Sequence, residues 1–230
     1  MATSITASVG EGGKNNSPDV IAIQTLLNKW VDPKVAINGT CTGKPDDPTV
    51  IAIRSFQSRF SSSPDGRVDA GGGTLKKLNS EPLFLLPQTG FGYYPYGKSD
   101  TTKRQWGTSN TIDTLTYISM WFCWFYPDTL VGIGDISFEF GGEMPPHGTH
   151  MQGLHVDVRP CRKDNNKVGV LYTDTTNYDQ EKTKFLIELF IAHKNVKTII
   201  FDDPDIYALE GVIKDNKGKH HDHFHIIMLS

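Results

Sequence analysis

Cysteine is scarce in this 230-residue chain, and the three that occur, Cys41, Cys123 and Cys161, are odd in number and widely spaced. That spacing excludes a disulfide framework and a cysteine-rich zinc site, and leaves three reduced thiols in structural or surface positions. Long apolar runs are missing too. The longest, Tyr117 to Tyr126, is too short to span a bilayer and stops at Pro127, so it reads as a core element and membrane insertion is not expected. Charge of one sign is also missing. A formal net charge of −3 gives no basic footprint for nucleic acid or an anionic membrane. The first residues, MATSITASVGEGG, have neither a basic nor an apolar signal region, so no Sec-type signal peptide is expected.

What is present is enough apolar and aromatic residue for a core, with four Trp and twelve Phe in a chain 37% hydrophobic. Residues 1–80 read as a small domain of three short helices. Ser17-Pro18-Asp19 opens the first, with Ser as a plausible cap, and Val20, Ile23, Leu26 and Leu27 form its apolar stripe. Asp47 or Thr49 caps the second, whose Val50, Ile53, Phe56 and Phe60 repeat at a helical period. The turn PDGRVDAGGGT leads to the third, TLKKLNS. Residues 81–108, rich in Pro, Gly and Tyr, read as a linker or irregular lead-in. Residues 109–230 then alternate irregularly between helix and strand. NTIDTLTYISMWFCWFY and DQEKTKFLIELFIAHK are expected helices; GDISFEFGG, GLHVDVRP, VKTIIFDD and HFHIIML are expected strands. The fold class is therefore α+β, with a central, largely antiparallel sheet flanked by helices in the second domain.

The densest chemical signal is histidine. Seven of the eight lie in two clusters, HGTHMQGLHVD from His147 to Asp157 and HHDHFH from His220 to His225. Alternation along a strand puts His223 and His225 on one face. If the strands carrying the clusters are neighbours, His150, Asp157 and His225 converge on one point, with Gly153 supplying the tight backbone that brings the His150 loop over its strand. Two imidazoles and a carboxylate suit a catalytic zinc with its fourth position left to water, which the ion would activate at neutral pH. His223 would lie beside that water as general base or oxyanion stabiliser, with His147 and His220 around the ligands or on the substrate rim. His155 and His221 stay ambiguous, and His193, at a helix end, reads as structural.

Two resemblances follow from these phrases. DVIAIQTLLN, TVIAIRSFQSRF and DGRVDAGGGTLKKL, over roughly residues 5–79, resemble the three-helix peptidoglycan-binding domain appended to many cell-wall hydrolases. GDISFEFGGEMPPHGTHMQGLHVDVRP, followed by HHDHFH, resembles the penicillin-insensitive murein endopeptidases, within the wider group of lysostaphin-type and D-Ala-D-Ala zinc peptidases. The second resemblance implies His150, Asp157 and His225 as zinc ligands, His223 as the catalytic histidine, and His147 and His220 as further active-site histidines. His155 departs from the pattern: it stands where that family commonly carries Asp, on the same strand face as Asp157, where it bears on the surroundings of the ligands or on substrate fit.

The resemblances together imply a zinc endopeptidase that cleaves peptidoglycan cross-links at D-Ala or meso-diaminopimelate bonds, held to the wall by its N-terminal domain. The alternatives are a D,D-carboxypeptidase trimming terminal D-Ala and a metal-stabilised wall-binding protein without turnover. With no Sec signal expected, action in the periplasm or cell wall calls for another route: injection as an antibacterial effector by a contact-dependent machine of the type VI secretion kind, or release as a phage endolysin. The effector route implies a cognate immunity protein.

Overall fold

The computed structural model describes residues 2–97 and 100–230. Met1, Lys98 and Ser99, which fall within the expected binding domain and lead-in, lie outside the described residues. The chain divides into two compact units, Met1–Pro82 and Leu83–Ser230.

The first unit contains β1 (Val9–Gly10), α1 (Ser17–Leu27), α2 (Pro48–Gln57), β2 (Arg67–Val68) and α3 (Gly73–Leu78). The two short strands pair antiparallel, an addition to the three expected helices. Asn16, not Ser17, occupies the N-cap position of α1, and its side chain makes no capping bond. Asp47 caps α2 by accepting from the Thr49 N–H at 2.8 Å, and Pro48 fills the first helical position, where no N–H is needed. Val20, Ile23, Leu27, Val50, Ile53, Phe56 and Leu78 are fully buried, which is the expected stripe pattern turned inward. Gln24, buried among them, is satisfied: its side chain accepts from the Asn38 and Gly39 N–H groups and donates to Thr49 Oγ1.

The second unit contains β3 (Phe84–Leu85), β4 (Tyr93–Pro95), α4 (Thr101–Arg104), β5 (Trp106–Gly107), α5 (Ser109–Phe125), β6 (Val131–Ile133), β7 (His155–Val158), α6 (Gln180–Ile191), β8 (Val196–Ile200), β9 (Val212–Ile213) and β10 (Phe224–Met228). Six of these strands form one sheet in the order β4-β6-β7-β10-β8-β9. Its centre is antiparallel and its two edge pairs, β4 with β6 and β8 with β9, are parallel.

One expectation is narrowed here and another corrected. Of the two readings of 81–108, linker gives way to lead-in: from Leu83 on, its described residues belong to the second unit, and the irregularity expected there includes the paired strands β3 and β5 and the sheet edge β4. An edge tolerates Pro95, which lacks a ladder donor, so the proline that suggested a loop is compatible with a strand there. The phrase GDISFEFGG is not a strand; β6 ends at Ile133, before it begins. The chain bends instead, with the N–H groups of Ile136 and Ser137 both donating to the Arg104 carbonyl, and Gly141 and Gly142 adopt positive φ.

Direct cross-strand partners share a sheet face, and the β7–β10 register divides the two faces by chemistry. Val156 pairs with Ile226 and Val158 with Phe224, and all four are fully buried in one core with Leu115 and Phe122 of α5 and Leu186, Ile187 and Phe190 of α6. Asp157 pairs with His225 and His155 with Ile227 on the other face. The α5 run expected to be core buries only one side: Ile118 and Phe122 face inward, while Tyr117, Trp121, Trp124 and Phe125 are exposed. Among the described residues no helix is long and apolar enough to cross a membrane.

Candidate active site

The site rests on the β7–β10 pair. Their antiparallel register sets Asp157 directly beside His225, and His225 Nδ1 lies 2.9 Å from Asp157 Oδ1. His150 arrives from the irregular segment before β7 and is fully buried. A carbonyl can only accept, so the 3.1 Å contact with the Ile136 carbonyl places the His150 proton on Nδ1. In the neutral ring this leaves the Nε2 lone pair aimed at the cluster, 3.3 Å from Asp157 Oδ1 and 3.3 Å from His225 Nδ1. Gly153, at φ +71°, turns the chain from that segment into β7, and its carbonyl accepts from the Thr108 N–H and the Thr111 hydroxyl.

Two more imidazoles approach the same carboxylate. His223 Nε2 is 3.6 Å from Asp157 Oδ1, and His147 Nδ1 is 3.6 Å from Asp157 Oδ2. Burial alone would raise the Asp157 pKa, but the adjoining His150 and His225 rings outweigh it and hold the carboxyl well below the usual range. Burial pushes the His225 pKa down, against the pull of Asp157. Asp157 is therefore held as an anion against the His225 ring, whose burial favours the neutral form.

This donor set fits a zinc ion. Atoms bonded at about 2.0–2.1 Å in a tetrahedron stand about 3.3 Å from one another. The three distances among His150 Nε2, His225 Nδ1 and Asp157 Oδ1 are 2.9, 3.3 and 3.3 Å. His147 also brings a nitrogen within reach of His150 and Asp157, giving an overlapping group of possible ligands. We favour His225 over His147 because His225 is buried and its Nδ1 lies 2.9 Å from Asp157 Oδ1, whereas His147 is only partly buried and its Nδ1 stands 3.6 Å from the carboxylate.

Around this centre, carboxylates orient the histidines. Asp135 accepts from His147 Nε2–H and from both forks of Arg104, at 2.9 and 2.7 Å. Burial opposes its ionisation, but those bonds pull its pKa down to about 2, and in turn Asp135 raises that of His147. Asp222 accepts from His223 Nδ1–H at 2.8 Å, leaving Nε2 as the free nitrogen, and is itself ion-paired with Arg159 at 2.7 Å. His220 donates Nδ1–H to Asp215 at 3.0 Å, and its ring lies against those of His223 and His225. Burial lowers the His220 pKa. His155 Nδ1 is 2.8 Å from His225 Nε2, and burial pushes its pKa down to about 4.

The structure thus brings His147, His150, His155, Asp157, His220, His223 and His225 into one cluster. His221 stands at its margin, 3.3 Å from Asp202. His193 lies apart, its Nδ1 accepting from the Asn195 N–H and its ring against Tyr117. Sequence reasoning gave no role to Arg104, Asp135, Arg159 or Asp222. Asp135 had a signal available in the GD phrase and Asp222 in HHDHFH, where it stands next to His223; Arg104 and Arg159 carry none, because their partners lie 31 and 63 residues away.

An open cleft of about 390 Å³ reaches the centre, walled by Tyr96, Arg104, His147, Asp157, Arg159 and His223. His150 and His225 lie behind this wall. A larger cavity of about 830 Å³ runs along α5 beside Phe91, Asn110, Tyr117 and Asn195. Its acid and bases, Asp113, His193 and Lys194, form no ion pair with one another and do not converge as the groups of the smaller cleft do, which makes the smaller cleft the candidate site.

Comparison with known proteins bears on the first unit. Residues 16–78 match the peptidoglycan binding domain family. The match spans α1, α2, β2 and α3 and supports association of this unit with peptidoglycan. Comparison with curated proteins returned no match.

Proposed function

We propose that the protein is a zinc-dependent murein endopeptidase that cleaves peptide cross-links of peptidoglycan at bonds involving D-Ala or meso-diaminopimelate. The observation that carries this reading is the convergence of His150 Nε2, His225 Nδ1 and Asp157 Oδ1 within 3.3 Å of one another at the back of an open cleft, with His223 beside them. His150, Asp157 and His225 would hold the metal. When bound, zinc supplies a Lewis acid and an activated water.

The remaining steps fall to the chain's own groups. His223, fixed by Asp222 through Nδ1–H, offers Nε2 to take a proton from the nucleophile and return it to the leaving amine. His147 spends Nε2–H on Asp135, a bond that raises its pKa; in the protonated form its Nδ1–H would be the donor on the cleft wall for the carbonyl oxygen as it gains negative charge. Arg104 and Arg159 on the cleft wall are already paired with Asp135 and Asp222. That pairing favours an internal peptide segment over the free terminal carboxylate that a D,D-carboxypeptidase must hold. The peptidoglycan-binding unit would keep the enzyme at high local concentration on an insoluble polymer.

Purified sacculi digested with and without chelator test the reading, with the released fragments identified by mass. Wild type should release cross-link fragments only when metal is present. His223→Ala should keep the metal and lose cleavage, and Asp157→Ala should lose both. Absence of any chelator-sensitive release would overturn the assignment.

A further inference from the structure

We propose that His155 is a positioning residue: its Nδ1 accepts the Nε2–H of His225 and so fixes His225 in the form that presents an Nδ1 lone pair to the metal. This rests on the zinc reading above and deepens it, by assigning a structural task to the one histidine that departs from the resembling family's pattern.

The argument is an accounting of protons. His150 donates Nδ1–H to the Ile136 carbonyl, so its Nε2 is an acceptor only. Asp157 Oδ1 is an acceptor as well, and His225 Nδ1 stands between the two, 2.9 Å from Asp157 Oδ1 and 3.3 Å from His150 Nε2. A cation bound by these three atoms requires a bare Nδ1 on His225, which moves that ring's proton to Nε2. His225 is buried, 5% exposed, so an Nε2–H there needs a partner within the protein. His155 Nδ1, 2.8 Å away, is that partner.

The backbone explains why the contact exists. His155 and Asp157 are two apart on β7 and share a face. β10 places His225 opposite Asp157 and Ile227 opposite His155. The His155 ring therefore reaches diagonally past Ile227 to the edge of His225 farthest from Asp157. Asp157 and His155 thus flank one imidazole, Asp157 beside Nδ1 and His155 beside Nε2. Metal-ligating histidines commonly give their second N–H to a carboxylate or a carbonyl. Here a second imidazole takes that place.

The test measures zinc affinity of the full-length chain by competition against a chromophoric chelator, in wild type, His155→Ala and His155→Asn. Melting of the metal-free proteins serves as a control for folding. Loss of an orienting partner of this kind costs about 10–100-fold in metal affinity. His155→Ala should show that loss, and His155→Asn, whose side-chain oxygen sits near the place of Nδ1, should recover most of it. Nitrogen-15 spectra of the zinc-loaded wild type supply a readout that needs no variant: His225 should carry its proton on Nε2, hydrogen-bonded to His155. Equal zinc affinity in wild type and His155→Ala, an Asn variant no better than Ala, or His225 protonated on Nδ1 would each overturn the proposal while leaving the zinc reading standing. Failure of wild type to bind zinc would overturn both.

Discussion

Three glycines around His150 allow the backbone that delivers this residue to be tested without touching a ligand. At Gly153, with φ +71°, an added Cβ would lie 2.9 Å from Gly107 Cα, 2.9 Å from Leu83 Cδ2 and 3.0 Å from the Thr108 nitrogen. Gly142 is strained without being crowded: φ is +90°, but nothing lies within 4 Å of its added Cβ. Gly148 has neither problem, with open space around it and no positive φ. Alanine at Gly148 should therefore be nearly silent, within about 0.5 kcal/mol. At Gly142 it should cost about 1–2 kcal/mol for the left-handed backbone alone. At Gly153 the backbone cost is joined by an overpacking cost of about 1–3 kcal/mol, because two of the three atoms met belong to main chain that cannot swing aside. The sum, roughly 2–5 kcal/mol, corresponds to a fall of about 2–4 °C per kcal/mol for a unit of this size. Scanning calorimetry of the full-length protein would read it in the transition of the second unit. Equal melting of the Gly153→Ala and Gly148→Ala proteins would refute the claim that Gly153 is fixed by its conformation and surroundings.

Other consequences follow from the same geometry. Asp135, held at about 2 against an ordinary value of about 3.9, should contribute roughly 2 kcal/mol of stability that is fully present above pH ~4 and lost as pH falls through ~2. Asp135→Asn should flatten that part of a melting-temperature profile against pH. In the first unit, Asp47 accepts from the N–H groups of Thr49 and Thr42 and from the Thr42 hydroxyl. Asp47→Ala should destabilise that unit by about 1–3 kcal/mol by chemical denaturation, while Asp46→Ala at the exposed neighbouring position should not. Zinc at a hundred times its dissociation constant should raise the stability of wild type by about 2.7 kcal/mol in a thermal melt. Chelator should reverse the gain, and Asp157→Ala should show none.

Much of this arrangement was legible because it depends on short-range spacing. The helical stripes of α1 and α2, the α5 and α6 helices and the alternation of β7 and β10 are local patterns, and the structure places them where those patterns point. The gathering of both histidine clusters was legible once β7 and β10 were assumed to be neighbours. What stayed hidden depends on pairings between distant residues. Tyr93-Tyr94-Pro95 reads as a loop by composition, yet it lies beside β6 because an edge strand needs fewer donors. Ile136 and Phe138 alternate like a strand, but a bend organised by the Arg104 carbonyl claims the N–H groups that a ladder would use. Asp135 and Arg104 meet across 31 residues, which no local pattern announces. His155 was placed correctly on the face of Asp157 by alternation alone. Its contact with His225 needed the β7–β10 register, information that resides in neither strand by itself.

The position of β10 has a consequence for how the site comes into being. β7 and β8 do not pair with each other; β10 lies between them and joins the two sides of the sheet. His150 and His225 are 75 residues apart, and Asp157 and His225 are 68 apart. Closing loops of this length is slow compared with forming helices, so strand insertion is expected late in folding. Before β10 docks, His150 and Asp157 form only part of the donor set, and His223 and His225 are elsewhere. A folding intermediate with an open sheet would thus be unable to cut an amide bond. The same strand that completes the hydrophobic core completes the donor set, so under the proposed reading no cleavage is expected until the fold is finished.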